Sequence, residues 1–234
     1  MSNISFITSF NETILKNIGH HFLKSVDEQW EPVMPMTCYY HDCSLESYSL
    51  PNGFISYKDL NTSDIYKNFK EDNAQHNGTE GGQIPYNIKL DSIKWCHKVF
   101  ALTEHVLNTD QKDGWIVWVD ADSYANKRLT KKDLEKLLPN NIDIAYSGIR
   151  LYDDGTSNID TSFMAFNLSS KPTVDLLKDL QKTYISGEIY QYREWHDAFI
   201  TERLLNIYKE HGLKVIDIGE QVQDYLIHLQ GVQN

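Results

Sequence analysis

The run Gly114-Trp115-Ile116-Val117-Trp118-Val119 is almost wholly apolar and rich in β-branched and aromatic residues, which predicts a buried strand. It leads directly into Asp120-Ala121-Asp122 and then the polar Ser123-Tyr124-Ala125-Asn126. Two carboxylates at i and i+2, at the carboxyl end of a buried strand, are costly unless something positive sits between them. The cheapest such partner is a divalent cation. In an open α/β sheet the carboxyl ends of strands are also where ligands bind. The pattern points to a metal-assisted site for a phosphorylated ligand.

A chain of 234 residues can bury one sizeable core, and its 41% hydrophobic and 24% charged content is ordinary for a soluble globular protein. The net charge of −11 argues against a nucleic acid polymer or an anionic membrane surface as partner. It also sharpens the metal argument, because an acidic protein that binds a pyrophosphate needs a cation between itself and the ligand. Cys38, Cys43 and Cys96 form neither a CxxC nor a zinc-like spacing. With Met1 to Phe10 lacking a signal-peptide pattern, they fit reduced thiols in a cytoplasmic protein. No apolar run approaches the ~20 residues of a transmembrane segment.

Strand and helix patterns alternate along the chain. Ile4 to Phe10 reads as a first strand, after which Asn11 can cap a helix to about Val26 with Ile14, Leu15, Ile18 and Phe22 on one face. Met36 to His41 predicts a second strand. From Asp42 to Asn87 the pattern is weak and polar, ending in the Gly-rich stretch 77–82, which reads as a mobile loop. A helix is expected from Leu90 to Leu107, and a short one capped by Thr130 and Asp133. Strands at 142–147 and 161–168 precede a helix that starts near Pro172 and runs toward Gly187. A further helix covers Trp195 to His211, Lys214 to Ile218 is a last strand, and Val222 to Asn234 is a tail. Asp153-Asp154-Gly155 reads as a turn without chemistry. The class is α/β, a single domain over residues 1–234 with a mostly parallel central sheet flanked by helices.

The hard carboxylate oxygens of Asp120 and Asp122 suit Mg²⁺ or Mn²⁺, which bridge phosphate groups and neutralise a departing diphosphate. Bare DxD triplets also occur as solvated turns, and the apolar strand in front is what favours the metal here.

Several further segments, ordered along nearly the whole chain, resemble nucleotide-sugar glycosyltransferases of the GT-A fold. They are Ile7-Thr8-Ser9-Phe10-Asn11, Tyr86-Asn87-Ile88-Lys89-Leu90-Asp91 leading into Lys94 and Lys98, Trp118 to Asp122, Thr161 to Leu168, and His228-Leu229-Gln230-Gly231. The resemblance implies Asp120, Asp122 and His228 as metal ligands. It places Thr8, Phe10, Asn11 and Asp91 along the nucleoside pocket, Asp120 and Ala121 beside the nucleotide, and Lys94 and Lys98 near it. Lys94 and Lys98 are also spaced i, i+4, as on a solvated helix face. The basic and aromatic residues that usually follow the late HxxG element are missing here.

Glu194-Trp195-His196-Asp197 starts a helix at a position that resembles the acceptor-facing acidic site of GT-A enzymes. In an inverting enzyme Asp197 would deprotonate the acceptor hydroxyl. Carboxylates there also simply stabilise a helix N-terminus. Asp160 is placed near the acceptor by the resemblance alone.

The implied activity is transfer of a sugar from a nucleoside diphosphate sugar, UDP-sugar favoured, to a hydroxyl of a carbohydrate or other acceptor. Two alternatives stand beside it. One is a non-catalytic nucleotide-sugar or carbohydrate-binding protein of the same fold. The other is a haloacid-dehalogenase-like phosphatase, disfavoured by Ser123-Tyr124 after the motif and by more than a hundred residues before it.

Overall fold

A computed structural model describes residues 3–79, 85–152 and 155–229. The chain is built around a seven-stranded sheet. Its strands are β1 (Ile4–Phe10), β2 (Met36–Tyr40), β3 (Ile55–Asp59), β4 (Trp115–Val119), β6 (Ile144–Tyr146), β9 (Phe163–Asn167) and β10 (Val215–Asp217), in spatial order β10-β6-β9-β4-β1-β2-β3. All pairings are parallel except those of β9, which runs antiparallel to both β4 and β6. Two short antiparallel pairs complete the strands, β5 (Ser123–Ala125) with β11 (Leu226–His228) and β7 (Ile149–Leu151) with β8 (Ser157–Ile159).

β4 explains why its sequence is a continuous apolar run. Both of its faces are covered: Trp115, Val117 and Val119 enter one hydrophobic cluster, Ile116 and Trp118 the other. Gly114 opens the strand at φ +76, packed so close to Asn3 that a Cβ would stand 2.1 Å from its carbonyl oxygen.

The crossovers cover the two faces separately. After β1, one continuous helix (α1) runs through Glu12–Ile14, the π-helical Leu15–Gly19 and His20–Gln29, and seats Phe22, Leu23 and Val26 on one face. After β3, α2 (Asp64–Asp72) and α3 (Ser92–Asn108) bring Phe69, Val99 and Phe100 to the other. The chain thus steps outward from β1 to β3, then returns to lay β4 on the far side of β1. The ends of β1 and β4 therefore form a topological switch point, where ligands bind in open α/β sheets. Asp120 to Asp122 lie at that point. The remaining helices are α4 (Lys131–Leu137), with the expected Thr130–Asp133 capping box, α5 (Lys171–Ile185), α6 (Asp197–Glu210) and α7 (Gly219–Val222).

The structure departs from the sequence expectations in three places. The weak stretch 42–87 contains β3 and α2; α2 buries only Tyr66 and Phe69, and β3 only Ile55, so neither shows a full apolar period. The expected tail holds β11, which pairs with β5 and so has a fixed position. The last long helix begins at Asp197 rather than Trp195, because the His196 ring accepts the Phe199 backbone N–H and caps it. The expected Asp153-Asp154-Gly155 turn falls between β7 and β8 in sequence, and residues 153 and 154 lie outside the described residues. So do residues 80–82 of the Gly-rich stretch and Gly231 of the late HxxG element.

Candidate active site

The acidic motif and the last strand meet because β11 pairs antiparallel with β5, with His228 opposite Ser123. The Leu229 backbone N–H donates to the Asp122 carbonyl oxygen at 3.0 Å, which locks that register. His228 Nε2 stands 3.1 Å from Asp122 Oδ1. One ligand atom each from Asp120, Asp122 and His228 lies within 4.8 Å of the others. Among the described residues, these three form a group able to hold a metal ion. Imidazole nitrogen plus carboxylate oxygens is a donor set that Mn²⁺ accepts, and Mg²⁺ accepts through the oxygens. His228 Nδ1 is buried without a hydrogen-bond partner.

Behind Asp120 lies a buried network centred on Lys98. Its ammonium donates to Asp120 Oδ1 at 2.8 Å, to the Thr161 carbonyl at 2.7 Å and to Thr161 Oγ1 at 3.0 Å, and stands 3.2 Å from Asp197 Oδ2. Asp120 Oδ1 also accepts the Trp118 indole N–H at 2.5 Å. The Asp120 backbone N–H donates to the Ser162 carbonyl, and the Ser162 N–H to Asp160 Oδ1, each at 2.8 Å. Burial pushes the Asp120 carboxyl up and the neighbouring Asp122 adds to this, against the pull of Lys98. Burial would lower Lys98, but Asp120 and Asp197 outweigh it and hold the ammonium charged. Burial likewise lowers His228, while the hydrogen bond to Asp122 and the charges of Asp120, Asp122 and Asp160 raise it. Four carboxylates facing one lysine and one histidine leave a local excess of negative charge for a cation to neutralise.

Asp197, expected as an acceptor-facing base, is buried at 4% exposure. Its Oδ2 accepts Thr161 Oγ1 at 2.8 Å. Burial raises its pKa, yet Lys98 and His196 hold it below the ordinary carboxylate value. Lys98 and Thr161 thus hold this carboxylate ionised within the buried network. Glu194 Oε2 pairs with His196 Nε2 at 2.8 Å, both buried, so this pair shapes the start of α6.

The nucleoside-side residues are arranged differently. Thr8 and Phe10 are completely buried, and Thr8 Oγ1 has no hydrogen-bond partner. Asn11 Oδ1 accepts the Ile14 N–H at 2.9 Å and caps α1. Asp91 Oδ1 accepts the Lys94 N–H at 2.7 Å, capping α3, and Oδ2 accepts the Tyr86 hydroxyl at 3.1 Å. Ala121 is buried in the core. Lys94 is half-buried, with its ammonium 5.5 Å from the Trp95 ring centre and its pKa lowered by burial. Lys94 and Lys98, one helical turn apart, therefore occupy different environments.

Trp118 and Thr161 complete the Asp120–Lys98–Asp197 network, a part of the site that the sequence pattern does not single out. The i, i+2 spacing of Trp118 and Asp120 on one strand was the available signal. Beside Asp160 a cleft of about 360 Å³ is lined by Ser147, Gly148, Asp217, Gly219 and Gln223, among others. It offers hydroxyl, amide and carboxylate groups and no cation.

No protein-family model and no curated protein sequence matches the chain. Solved structures do. Mouse xyloside xylosyltransferase 1 in its apo form superposes with a TM-score of 0.55 at 12% identity, over 92% of this chain and 85% of that one. Core-mannan synthase A from Aspergillus fumigatus, in an Mn/GDP form, gives 0.57 at 12% identity, over 98% and 75%. The glycosyltransferase GlyE of Streptococcus pneumoniae gives 0.54 at 10% identity, over 96% of this chain but 47% of its own length. The chain has a GT-A-like glycosyltransferase fold. Among the described residues, no helix is long and apolar enough to cross a membrane.

Proposed function

We propose that this chain is a metal-dependent glycosyltransferase that moves a sugar from a nucleoside diphosphate sugar, UDP-sugar favoured, to a hydroxyl of a carbohydrate or similar acceptor. The observation that carries this is the convergence of Asp120, Asp122 and His228 within 4.8 Å at the switch point of a GT-A-like sheet. Residues 1–234 are read as one domain, and the three free cysteines support a reducing, cytoplasmic setting.

Asp120, Asp122 and His228 would hold Mn²⁺ or Mg²⁺, which stabilises the departing diphosphate electrostatically. An Mn/GDP complex among the structural neighbours supports a divalent ion with a nucleotide diphosphate. The nucleoside would lie against the rim formed by Thr8 to Asn11 and Asp91 to Lys94. Asn11 Nδ2 and Lys94 would contact it there, since Thr8 and Phe10 are buried. Lys98 holds Asp120 and Asp197 in place. The cleft beside Asp160 is the acceptor side in this reading, its neutral donors and carboxylates matching sugar hydroxyls.

The non-catalytic alternative shares the same donor site and is separated from transfer by turnover alone. The phosphatase alternative has lost its support, since the fold is that of glycosyltransferases. Thermal shift with UDP, GDP and their hexose conjugates, with and without Mn²⁺, tests the proposal. A ligand at a hundredfold excess over Kd adds ~2.7 kcal/mol of apparent stability. Asp122→Ala should weaken the Mn²⁺-dependent part by a factor of about a hundred and abolish donor hydrolysis. Failure of every nucleotide to stabilise the wild type in Mn²⁺ sinks the proposal. Stabilisation without release of sugar or product selects the binding-protein reading.

A further inference from the structure

We propose that Trp118 is a positioning residue that clamps the Asp120–Lys98 pair and leaves Asp120 a single oxygen, Oδ2, for a divalent cation. Residues two apart along an extended backbone project to the same face of a sheet. Trp118 and Asp120 share that face with Lys98, whose helix α3 packs against it. The indole is 1% exposed, and its N–H is a donor only, so burial demands an acceptor. Asp120 Oδ1 supplies it at 2.5 Å.

The ring face has a second partner. Lys98 Nζ lies 5.2 Å from the Trp118 ring centre, inside the range of a cation–π contact. The same ammonium donates to Asp120 Oδ1 at 2.8 Å. One indole thus holds both members of the ion pair, the carboxylate by its edge and the ammonium by its face. Oδ1 receives two donors and has no further lone-pair direction to offer. A cation in reach of Asp122 and His228 can therefore take only Oδ2 of Asp120. Partners behind a metal ligand commonly change metal affinity by 10–100-fold when removed.

The proposal rests on the reading of Asp120, Asp122 and His228 as a metal site, so its test has an arm that needs no metal. In ¹⁵N-labelled protein, the Trp118 indole N–H is the side-chain resonance that disappears in Trp118→Phe. In the metal-free wild type it should be shifted downfield and protected from solvent exchange. Asp120→Ala should move it upfield and speed its exchange. In the second arm, Mn²⁺ titrated calorimetrically should bind Trp118→Phe about tenfold more weakly than wild type. Phe keeps the ring face and most of the volume but removes the N–H. An indole resonance indifferent to Asp120→Ala overturns the clamp. Equal Mn²⁺ affinity in Trp118→Phe and wild type overturns the claim that it orients the metal ligand. Should the wild type bind no Mn²⁺, the metal site itself fails, and the resonance arm still decides whether the clamp exists.

Discussion

At the end of β4, Asp120, Asp122 and His228 face one another with too little positive charge between them, and Asp160 adds to the deficit. At the ends of β1 and β2 the chain instead gathers two histidines, with a balanced Asp42–Lys70 ion pair at the edge of His41. His41 and His97 stack with ring centres 4.7 Å apart, and Ser9 Oγ lies 2.7 Å from His97 Nδ1. Burial lowers His41, and lowers His97 much further. One strand end gathers an excess of carboxylates, while at the other the Asp42–Lys70 ion pair is balanced beside a buried His41 that stacks on His97.

The sharpest way to break this contrast is to remove the lysine that supports the charged half. Lys98→Met leaves Asp120 and Asp197 without their shared cation. Truncating one partner of a buried pair costs roughly 3–5 kcal/mol. The Asp120 side chain is 26% exposed, so solvent offsets part of this and about 3 kcal/mol is expected. Urea unfolding measures it. A loss below about 1 kcal/mol would show that the charged half does not depend on Lys98.

Acidification sharpens the contrast from the other side. His41 and His97, together with His105, whose pKa burial lowers to about 4, stay neutral in the fold while the unfolded chain protonates near pH 6.5. Depressed histidines give stability that is complete above the unfolded value and declines as pH falls below it. His228, raised in the fold, acts in the opposite sense: its contribution is present below that value and is lost as pH rises through the raised one. The lowered histidines set the trend expected here, with His228 and the raised Asp120 opposing it, so stability should fall between pH 7.5 and 5.5. Each lowered histidine contributes a slope of up to about 1.4 kcal/mol per pH unit. His97→Gln keeps a partner for Ser9 and should flatten the profile by that amount. Wild-type stability that rises on acidification would contradict the neutral assignment.

The charged half was also the half legible in sequence. An apolar run ending in two carboxylates combines burial and charge in a few residues, and buried charge demands a partner whatever the tertiary details. His228 could be paired with it through resemblance but not through pattern, because β11 has three residues and takes its register from pairing with β5. The neutral half was legible in position and not in detail. The order of β1, α1 and β2 was readable, but Asn11 and Asp91 proved to spend side-chain oxygens on helix caps, a use that Asn and Asp serve equally well at any helix start. Asp197 shows the same ambiguity. A carboxylate at a helix N-terminus reads alike whether it faces solvent or a buried lysine, and Lys98 lies 99 residues before it.

The smallest expected effect tests the neutral half directly. Thr8 Oγ1 is buried without a partner, and such a hydroxyl costs about 1–3 kcal/mol relative to a satisfied one. Thr8→Val removes the hydroxyl and keeps the branched shape that suits the centre of β1. The ligand-free protein should gain about 1 kcal/mol, or ~2–4 °C in Tm for a chain of this size. Two outcomes for nucleotide binding then differ in meaning. Unchanged affinity for UDP or GDP places the contact on the rim at Asn11 and Lys94, as the complete burial of Thr8 implies. A tenfold loss despite the stability gain shows that the crevice opens on binding to admit the ligand to the hydroxyl. The β1 end would then share with the β4 end the property of holding an unsatisfied group for its ligand, and the contrast between the two would be one of charge alone.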